Sequence, residues 1–260
     1  MEPMDNFFKI AYIVGVSITA RLYSMVSSDR LWHADQDQEI FDENPDGHGI
    51  MVILNGYKAS RTNVYRQVQL MRQTSNKQYR ALYVPHVHYE RNMDIATANS
   101  DIFTYIQEFC RDNPREPLLI VGISAGGRLA VRLENVLRRE PAAVHVVTIG
   151  SPLNGTSLVR LLPGFRAISA LMVGSTLVEE FDPLSAAHSP IAEAVFHSND
   201  NRTYCHFYST SDHMVFPPYR CVATAELPKA RVYALHDCAH YDMFTHPDVI
   251  RYLEAFRFDS

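Results

Sequence analysis

The sequence lacks the features that define membrane-spanning, disulfide-stabilised and disordered proteins. The apolar run near its N terminus, residues 10–20, is eleven residues long, which is too short to cross a bilayer as a helix. The four cysteines, Cys110, Cys205, Cys221 and Cys238, have no Cys-x-x-Cys spacing and are too few for a disulfide framework. We therefore interpret them as reduced and structural, and a single bridge among the last three is left open.

An excess of charge is also missing. Of the 260 residues, 20% are charged and 47% are hydrophobic, and the formal net charge is −5. This composition is typical of a globular domain and differs from that of proteins that bind polyanions, so we expect no nucleic-acid partner. The length accommodates one α/β domain with an insertion.

The N-terminal segment has few charges but does not begin like a signal peptide. Residues 7–26 contain only Lys9 and Arg21 as charges, yet residues 1–5 are acidic rather than basic and no good small-residue cleavage site follows. We predict a helix docked on the domain, with a membrane-surface anchor or a processed signal as alternatives. A cytoplasmic or membrane-associated location is favoured over secretion. Residues 29–46 are polar, which predicts a loop with at most short structure. The predicted N-terminal part, a helix and this polar lead-in, therefore covers residues 1–46.

A strand that turns directly into a helix is the most informative pattern in the chain. Leu118 to Val121 is a continuous apolar run, typical of a strand buried on both faces. Apolar positions then recur at helical spacing, namely Leu129, Ala130, Leu133, Val136 and Leu137. Between them lies Gly122-x-Ser124-x-Gly126, with glycines where a tight bend brings backbone against backbone. We predict that the bend presents the Ser124 hydroxyl at the helix N terminus, where N–H groups favour a developing negative charge.

Two other interpretations of this turn are an ordinary Gly/Ser-rich loop and a phosphate-binding loop. The strand before it and the helix after it favour a catalytic serine over an ordinary loop. The turn contains neither Gly-x-x-x-x-Gly-Lys-Ser/Thr nor Gly-x-Gly-x-x-Gly, so it does not indicate nucleotide binding. We expect no cofactor and no metal.

Strands alternate with helices from residue 50 to residue 150. The predicted strands are residues 50–54, 81–84, 118–121, 143–149, 203–208 and 231–235, with a helix over 95–109 and a last helix starting around 246–248. Parallel strands need crossover connections, which helices supply. The predicted fold class is α/β, a mostly parallel central sheet with helices on both faces, over residues 47–260. Residues 157–200 are apolar but broken by prolines and glycines, which predicts a helical, lid-like insertion or, alternatively, ordinary covering helices.

A serine hydroxyl is a weak nucleophile at neutral pH and needs a base. The sequence has twelve histidines, so position has to separate them. In this architecture the base follows the last strand, at the same sheet edge as the serine. His240 lies five residues beyond Leu235 and ahead of the final helix. We favour His240, with His236 as the main rival, while His246 fits the start of the helix.

The base in turn needs a carboxylate to orient it. Asp212 lies four residues beyond the predicted strand that ends at Tyr208, and it stands between serine and histidine in the order Ser…Asp…His. The alternative is an aspartate that caps a turn by hydrogen bonds to nearby backbone. Asp237 and Asp242 flank His240 but would have to orient it from its own loop.

Together these motifs resemble the α/β-hydrolase fold and, within it, the lipase-like esterases. The resemblance covers roughly residues 50–258. It rests on residues 122–127, on the strand and loop 147–156, on the acid turn 211–215 and on His240 with the helix start 245–250.

The resemblance implies a serine hydrolase that cleaves carboxylic esters and acts on a small-molecule ester or lipid substrate. Ser124 would be the nucleophile, His240 the base and then acid, and Asp212 the orienting carboxylate. The backbone N–H groups of Ala125 and Tyr57 would form the oxyanion hole. Alternatives on the same triad are a phospholipase, a thioesterase or an acyltransferase, and a further alternative is a binding module without catalysis.

Two positions depart from the lipase pattern. Such lipases usually have His-Gly where this chain has Asn55-Gly56, and often histidine or tyrosine where Ile123 precedes the serine. Neither position supplies the nucleophile or the base. We therefore expect altered loop packing rather than lost chemistry, with the Tyr57 assignment most affected.

Overall fold

The computed structural model describes residues 39–57, 69, 79–89, 93–137, 143–157, 181, 202–215, 217–221 and 230–256. The predicted N-terminal helix and almost all of the lid-like insertion lie outside these residues. Within the described ranges, no helix combines the length and apolar character needed to cross a membrane. All four cysteines are buried, and none of them is paired in a disulfide.

The described part of the chain forms one seven-stranded sheet in the order β1-β3-β2-β4-β5-β6-β7. The strands are β1 Ile40–Glu43, β2 Ile50–Leu54, β3 Ala81–Val84, β4 Leu118–Ile123, β5 Val144–Ile149, β6 Arg202–Ser209 and β7 Ala230–Leu235. Strand β1 pairs antiparallel with β3, and every other pair is parallel. The mostly parallel sheet predicted from the alternation of apolar runs and helical patterns is thereby confirmed.

The central strands β2 and β5 are buried at every position because both faces of the sheet are covered. All five residues of β2 and all six of β5 are buried. Leu54 of β2 lies beside Gly122 of β4, and Ile123 lies beside Ile149 of β5. The carboxyl ends of these strands therefore meet at one edge, which is where parallel α/β sheets place their sites.

Helices pack on both faces of this sheet. The described helices are α1 Ile95–Ala98, α2 Ser100–Asp112, α3 Ala125–Val136 and α4 Pro247–Ala255, with 3₁₀ helices at Pro218–Cys221 and His240–Thr245. One hydrophobic cluster joins α2 and α3 to one face through Ile106 and Leu133. A second cluster joins α4 to the other face through Val249 and Leu253.

The structure differs from the sequence-based expectations in local details. The polar lead-in contributes β1, whose alternately exposed side chains gave only a weak strand pattern. The helix expected over 95–109 is divided at Asn99, a buried residue whose side chain bonds to a neighbouring loop. Val136, counted among the apolar helical positions, is 47% exposed at the end of α3.

Two buried histidines make the fold sensitive to acid. Burial lowers the pKa of His206 to about 4, and burial, with smaller effects of Arg231 and His206, lowers the pKa of His145 to about 4. In an unfolded chain the pKa of histidine is about 6.5. Below that pH the unfolded state binds more protons than the folded state, so the free energy of unfolding falls as the pH drops from 6.5 towards 4.

A His206→Gln variant should lose less stability in acid than the wild type. Between pH 7 and pH 4.5, we expect the loss of unfolding free energy to be smaller by about 2–3 kcal/mol. Urea unfolding at both pH values measures it. His236→Gln, at an exposed position, is the matched control and should lose as much as the wild type. An equal loss in all three proteins would contradict the burial argument.

Candidate active site

Ser124 occupies a sharp turn between β4 and α3. Strand β4 ends at Ile123 and α3 begins at Ala125, so a single residue makes the bend, with φ of +52°. A non-glycine residue with positive φ is uncommon and costs conformational energy. The backbone holds the bend through Ser124 N–H donating to the Ile149 carbonyl at 2.9 Å and Gly127 N–H donating to the Ser124 carbonyl at 3.0 Å.

The side chains of Ser124, His240 and Asp212 form one hydrogen-bonded series. The Ser124 Oγ lies 2.9 Å from Nε2 of His240. The other ring nitrogen of His240, Nδ1, lies 2.9 Å from Oδ2 of Asp212. Histidine and aspartate are both buried, with exposed fractions of 7% and 4%.

The series has a defined direction of proton donation. A carboxylate only accepts, so Nδ1–H of His240 donates to Asp212 and leaves Nε2 as the acceptor for the Ser124 hydroxyl. The other carboxylate oxygen, Oδ1 of Asp212, accepts N–H groups of Met214 at 2.7 Å and Val215 at 3.0 Å. Asp212 thus caps a turn with one oxygen and contacts the imidazole with the other.

The loop after β2 packs against the serine turn. A Cβ on Gly126 would meet the Leu54 carbonyl oxygen at 2.1 Å, and a Cβ on Gly56 would meet the Ser124 Cβ at 2.8 Å. Glycine is required at both positions for this close approach. Of the two residues assigned to the oxyanion hole, Ala125 directly follows Ser124 and begins α3, and Tyr57 directly follows Gly56, which packs against Ser124.

Comparison with known proteins gives matches among solved structures. No protein-family model matches the chain, and no curated protein sequence does. An α/β hydrolase from the metagenome of sediments of the Mar Chica lagoon, Morocco, is 19% identical with a TM-score of 0.53, over 85% of this chain and 94% of that chain. A monoacylglycerol lipase from Paleococcus ferrophilus is 13% identical with a TM-score of 0.54, over 84% and 98%. Carboxyl esterase 2 from Tuber melanosporum is 10% identical with a TM-score of 0.57, over 90% and 94%.

Together with the sheet order and the parallel pairing, these matches decide the architecture. The chain has the α/β-hydrolase fold. The fold class predicted from the sequence is confirmed, and at identities of 10–19% the likeness concerns the fold. The chain order Ser124, Asp212, His240 is the order in which nucleophile, acid and base follow one another in α/β hydrolases.

Ser209, at the end of β6, links the loops that carry Asp212 and His240. Its hydroxyl donates to the Cys238 carbonyl at 2.5 Å and accepts the N–H of Ser211 at 3.1 Å. Ser209 was not among the site residues predicted from the sequence. A small polar residue at the end of a strand, just before the acid turn, was the signal available.

The rival residues lie outside this hydrogen-bonded series. His236 is exposed at the end of β7, and Asp237 and Asp242 are exposed as well. His246 caps α4, where its Nδ1 accepts the N–H of Asp248 at 3.2 Å. In the described part of the chain, no group of three or more His, Cys, Asp or Glu side chains is arranged to hold a metal ion.

Gly150, after β5, leaves room for the imidazole of His240. Its φ is +58°, and a Cβ there would lie 2.5 Å from Cε of Met243 and 3.3 Å from Cε1 of His240. Gly150→Ala should therefore displace the ring and lower kcat about tenfold or more, and it should also destabilise the fold by about 1–3 kcal/mol. Steady-state kinetics and thermal unfolding measure the two effects.

The matched control for Gly150→Ala is Gly155→Ala. Gly155 also has positive φ, +70°, so an alanine there carries comparable backbone strain. We expect a loss of stability with little change in kcat. Equal kcat values for the two variants would contradict the proposed role of Gly150 in seating the imidazole.

Proposed function

We propose that this protein is a serine hydrolase that cleaves carboxylic esters through a covalent acyl-enzyme. Ser124 is the nucleophile, His240 the general base and then acid, and Asp212 the carboxylate that orients the imidazole. The observation that carries the proposal is the series Ser124 Oγ to His240 Nε2 at 2.9 Å and His240 Nδ1 to Asp212 Oδ2 at 2.9 Å. These distances lie within hydrogen-bond reach, as proton transfer requires.

In the acylation step, Ser124 Oγ attacks the ester carbonyl carbon while Nε2 of His240 takes its proton. The carbonyl π-electrons move to oxygen, and the N–H groups of Ala125 and Tyr57 donate to the resulting oxyanion. When the C–O bond to the alcohol breaks, His240 returns the proton to the leaving alkoxide. Each oxyanion donor contributes about 2.7–4 kcal/mol to the stability of the transition state in comparable sites.

Deacylation repeats these steps with water as the nucleophile. His240 takes a proton from water while the water oxygen attacks the acyl carbon. The proton then passes to Ser124 Oγ as the carboxylic acid departs. The imidazolium that forms in both steps lies against the Asp212 carboxylate, which stabilises its positive charge.

The substrate proposed is an ester with an apolar acyl or lipid group. The apolar composition of residues 157–200, the insertion predicted after β5, supports this choice. The similar solved structures include a monoacylglycerol lipase and a carboxyl esterase, which agrees with an ester substrate.

A panel of substrates tests the proposed function. Purified protein is given p-nitrophenyl esters of increasing chain length, a matched acyl thioester, a monoacylglycerol and a phospholipid, and products are identified by mass spectrometry. We expect turnover of the esters with a preference that depends on chain length, and none above background with Ser124→Ala. Preference for the thioester or phospholipid, or transfer to an added alcohol, would replace ester hydrolysis by the corresponding alternative. Absence of turnover on the whole panel would contradict the proposal.

A further inference from the structure

We propose that Tyr89 is a positioning residue that holds the oxyanion loop, residues 55–57, against the nucleophile. The inference rests on the function proposed above and extends it to a residue that the sequence analysis did not select. Tyr89 lies in the loop that follows β3, at the same sheet edge as Ser124, because β2, β3 and β4 run parallel.

Two contacts join Tyr89 to the oxyanion loop. Its hydroxyl donates to the Asn55 carbonyl at 2.5 Å. Its ring packs edge-on against the ring of Tyr57, with centroids 5.5 Å apart and planes at 82°. The first contact fixes the peptide plane between Asn55 and Gly56. A rotation of that plane would turn the following peptide, whose N–H belongs to Tyr57, away from the position of the oxyanion.

The loop that carries Tyr89 is itself anchored. The buried side chain of Asn99 accepts the N–H of His88 at 2.7 Å through Oδ1 and donates to the His88 carbonyl at 2.8 Å through Nδ2. The same amide donates to the Ile95 carbonyl at 2.7 Å, which ties it to α1. Asn99 therefore holds the backbone next to Tyr89 in a fixed position relative to α1. Tyr89 in turn holds the oxyanion loop.

Asn55 does not provide an equivalent anchor through its own side chain. It is 6% exposed, and its Oδ1 atom has no hydrogen-bond partner among the described residues. Burial also raises the pKa of the Tyr89 phenol, so the hydroxyl stays protonated and continues to donate to the Asn55 carbonyl.

Tyr89→Phe tests the inference because it removes the hydroxyl and keeps the ring. Loss of one oxyanion donor lowers kcat by about 10²–10³-fold, so a displaced donor should cost less, and we expect kcat to fall about tenfold while KM stays within a factor of two. Inhibition by a trifluoromethyl ketone, which forms an oxyanion adduct, should weaken by a similar factor. Inhibition by the product acid should not change. All rates are normalised to sites titrated with a fluorophosphonate, so unfolded protein does not contribute.

The matched control is Tyr83→Phe. Tyr83 is buried in β3, and its hydroxyl donates to Glu39 at 3.1 Å, away from the oxyanion loop. This variant should keep wild-type kcat and ketone affinity. If Tyr89→Phe behaves like Tyr83→Phe while the wild type turns over esters, the positioning role is wrong and the proposed function stands.

Two further results would also decide the matter. A Tyr89→Phe variant that weakens binding of product acid and ketone equally would overturn a role specific to the oxyanion, because the whole site would then be disturbed. A wild-type protein that neither turns over esters nor reacts with the fluorophosphonate at Ser124 would overturn the proposed function, and this inference with it.

Discussion

Ser124→Ala is expected to lower kcat for ester hydrolysis by about 10⁴–10⁶-fold, because it removes the hydroxyl on which the proposed acyl-enzyme forms. The fold should be unaffected. Alanine keeps the Cβ and therefore the same backbone strain at φ of +52°, and only the hydroxyl bonded to His240 is lost. Steady-state kinetics at saturating ester and a thermal melt of each protein measure the two quantities.

Ser100→Ala is the control for that loss. Ser100 begins α2 and is exposed, so removal of its hydroxyl tests the preparation and the assay without touching the site. It should retain wild-type kcat. Substantial ester turnover by Ser124→Ala, at a level well above the uncatalysed rate, would show that Ser124 is not the nucleophile.

Asp212→Asn should lower kcat by about 10⁴-fold with a much smaller effect on stability. An asparagine oxygen at the Oδ1 position still accepts the N–H groups of Met214 and Val215, so the turn keeps its cap. At the other position an amide NH₂ faces Nδ1 of His240, and two donors cannot bond to each other. The imidazole then loses the tautomer in which Nε2 accepts from Ser124. The kcat of the variant and its urea unfolding curve separate the two effects.

Asp94→Asn is a matched control for the aspartate. Asp94 caps α1 in a similar way, with Oδ1 accepting the N–H groups of Ala96 and Thr97, both at 3.0 Å. Both variants should lose a similar, small amount of unfolding free energy, and only Asp212→Asn should lose activity. Nearly unchanged turnover by Asp212→Asn would mean that Asp212 serves the turn alone.

Long apolar runs made the fold predictable from the sequence. A run such as residues 118–121, followed at once by helical spacing, has few interpretations, and several such units in succession specify a parallel sheet. Strand β1 was harder to predict, because its side chains alternate in exposure and only pairing with β3 makes it a strand. The break at Asn99 was hidden for a related reason, since the amide bonds to His88, eleven positions away in the sequence.

Only those residues of the candidate site whose place follows from the order of the strands along the chain could be predicted. The parallel topology brings the ends of β4, β6 and β7 to one edge, so a serine, an aspartate and a histidine just beyond those ends could be selected from the sequence. The contacts that hold the loops were not predictable. Tyr89 to Asn55 and Ser209 to Cys238 join side-chain hydroxyls to backbone carbonyls 34 and 29 positions away, and no local pattern marks such pairs.

Covalent labelling tests directly whether Ser124 is a nucleophile that His240 activates. The protein is treated with a fluorophosphonate, digested and analysed by peptide mass spectrometry. We predict one adduct, on Ser124, that is absent in Ser124→Ala and forms far more slowly in His240→Ala. An unlabelled wild-type protein, or an adduct on another residue that persists in Ser124→Ala, would contradict it.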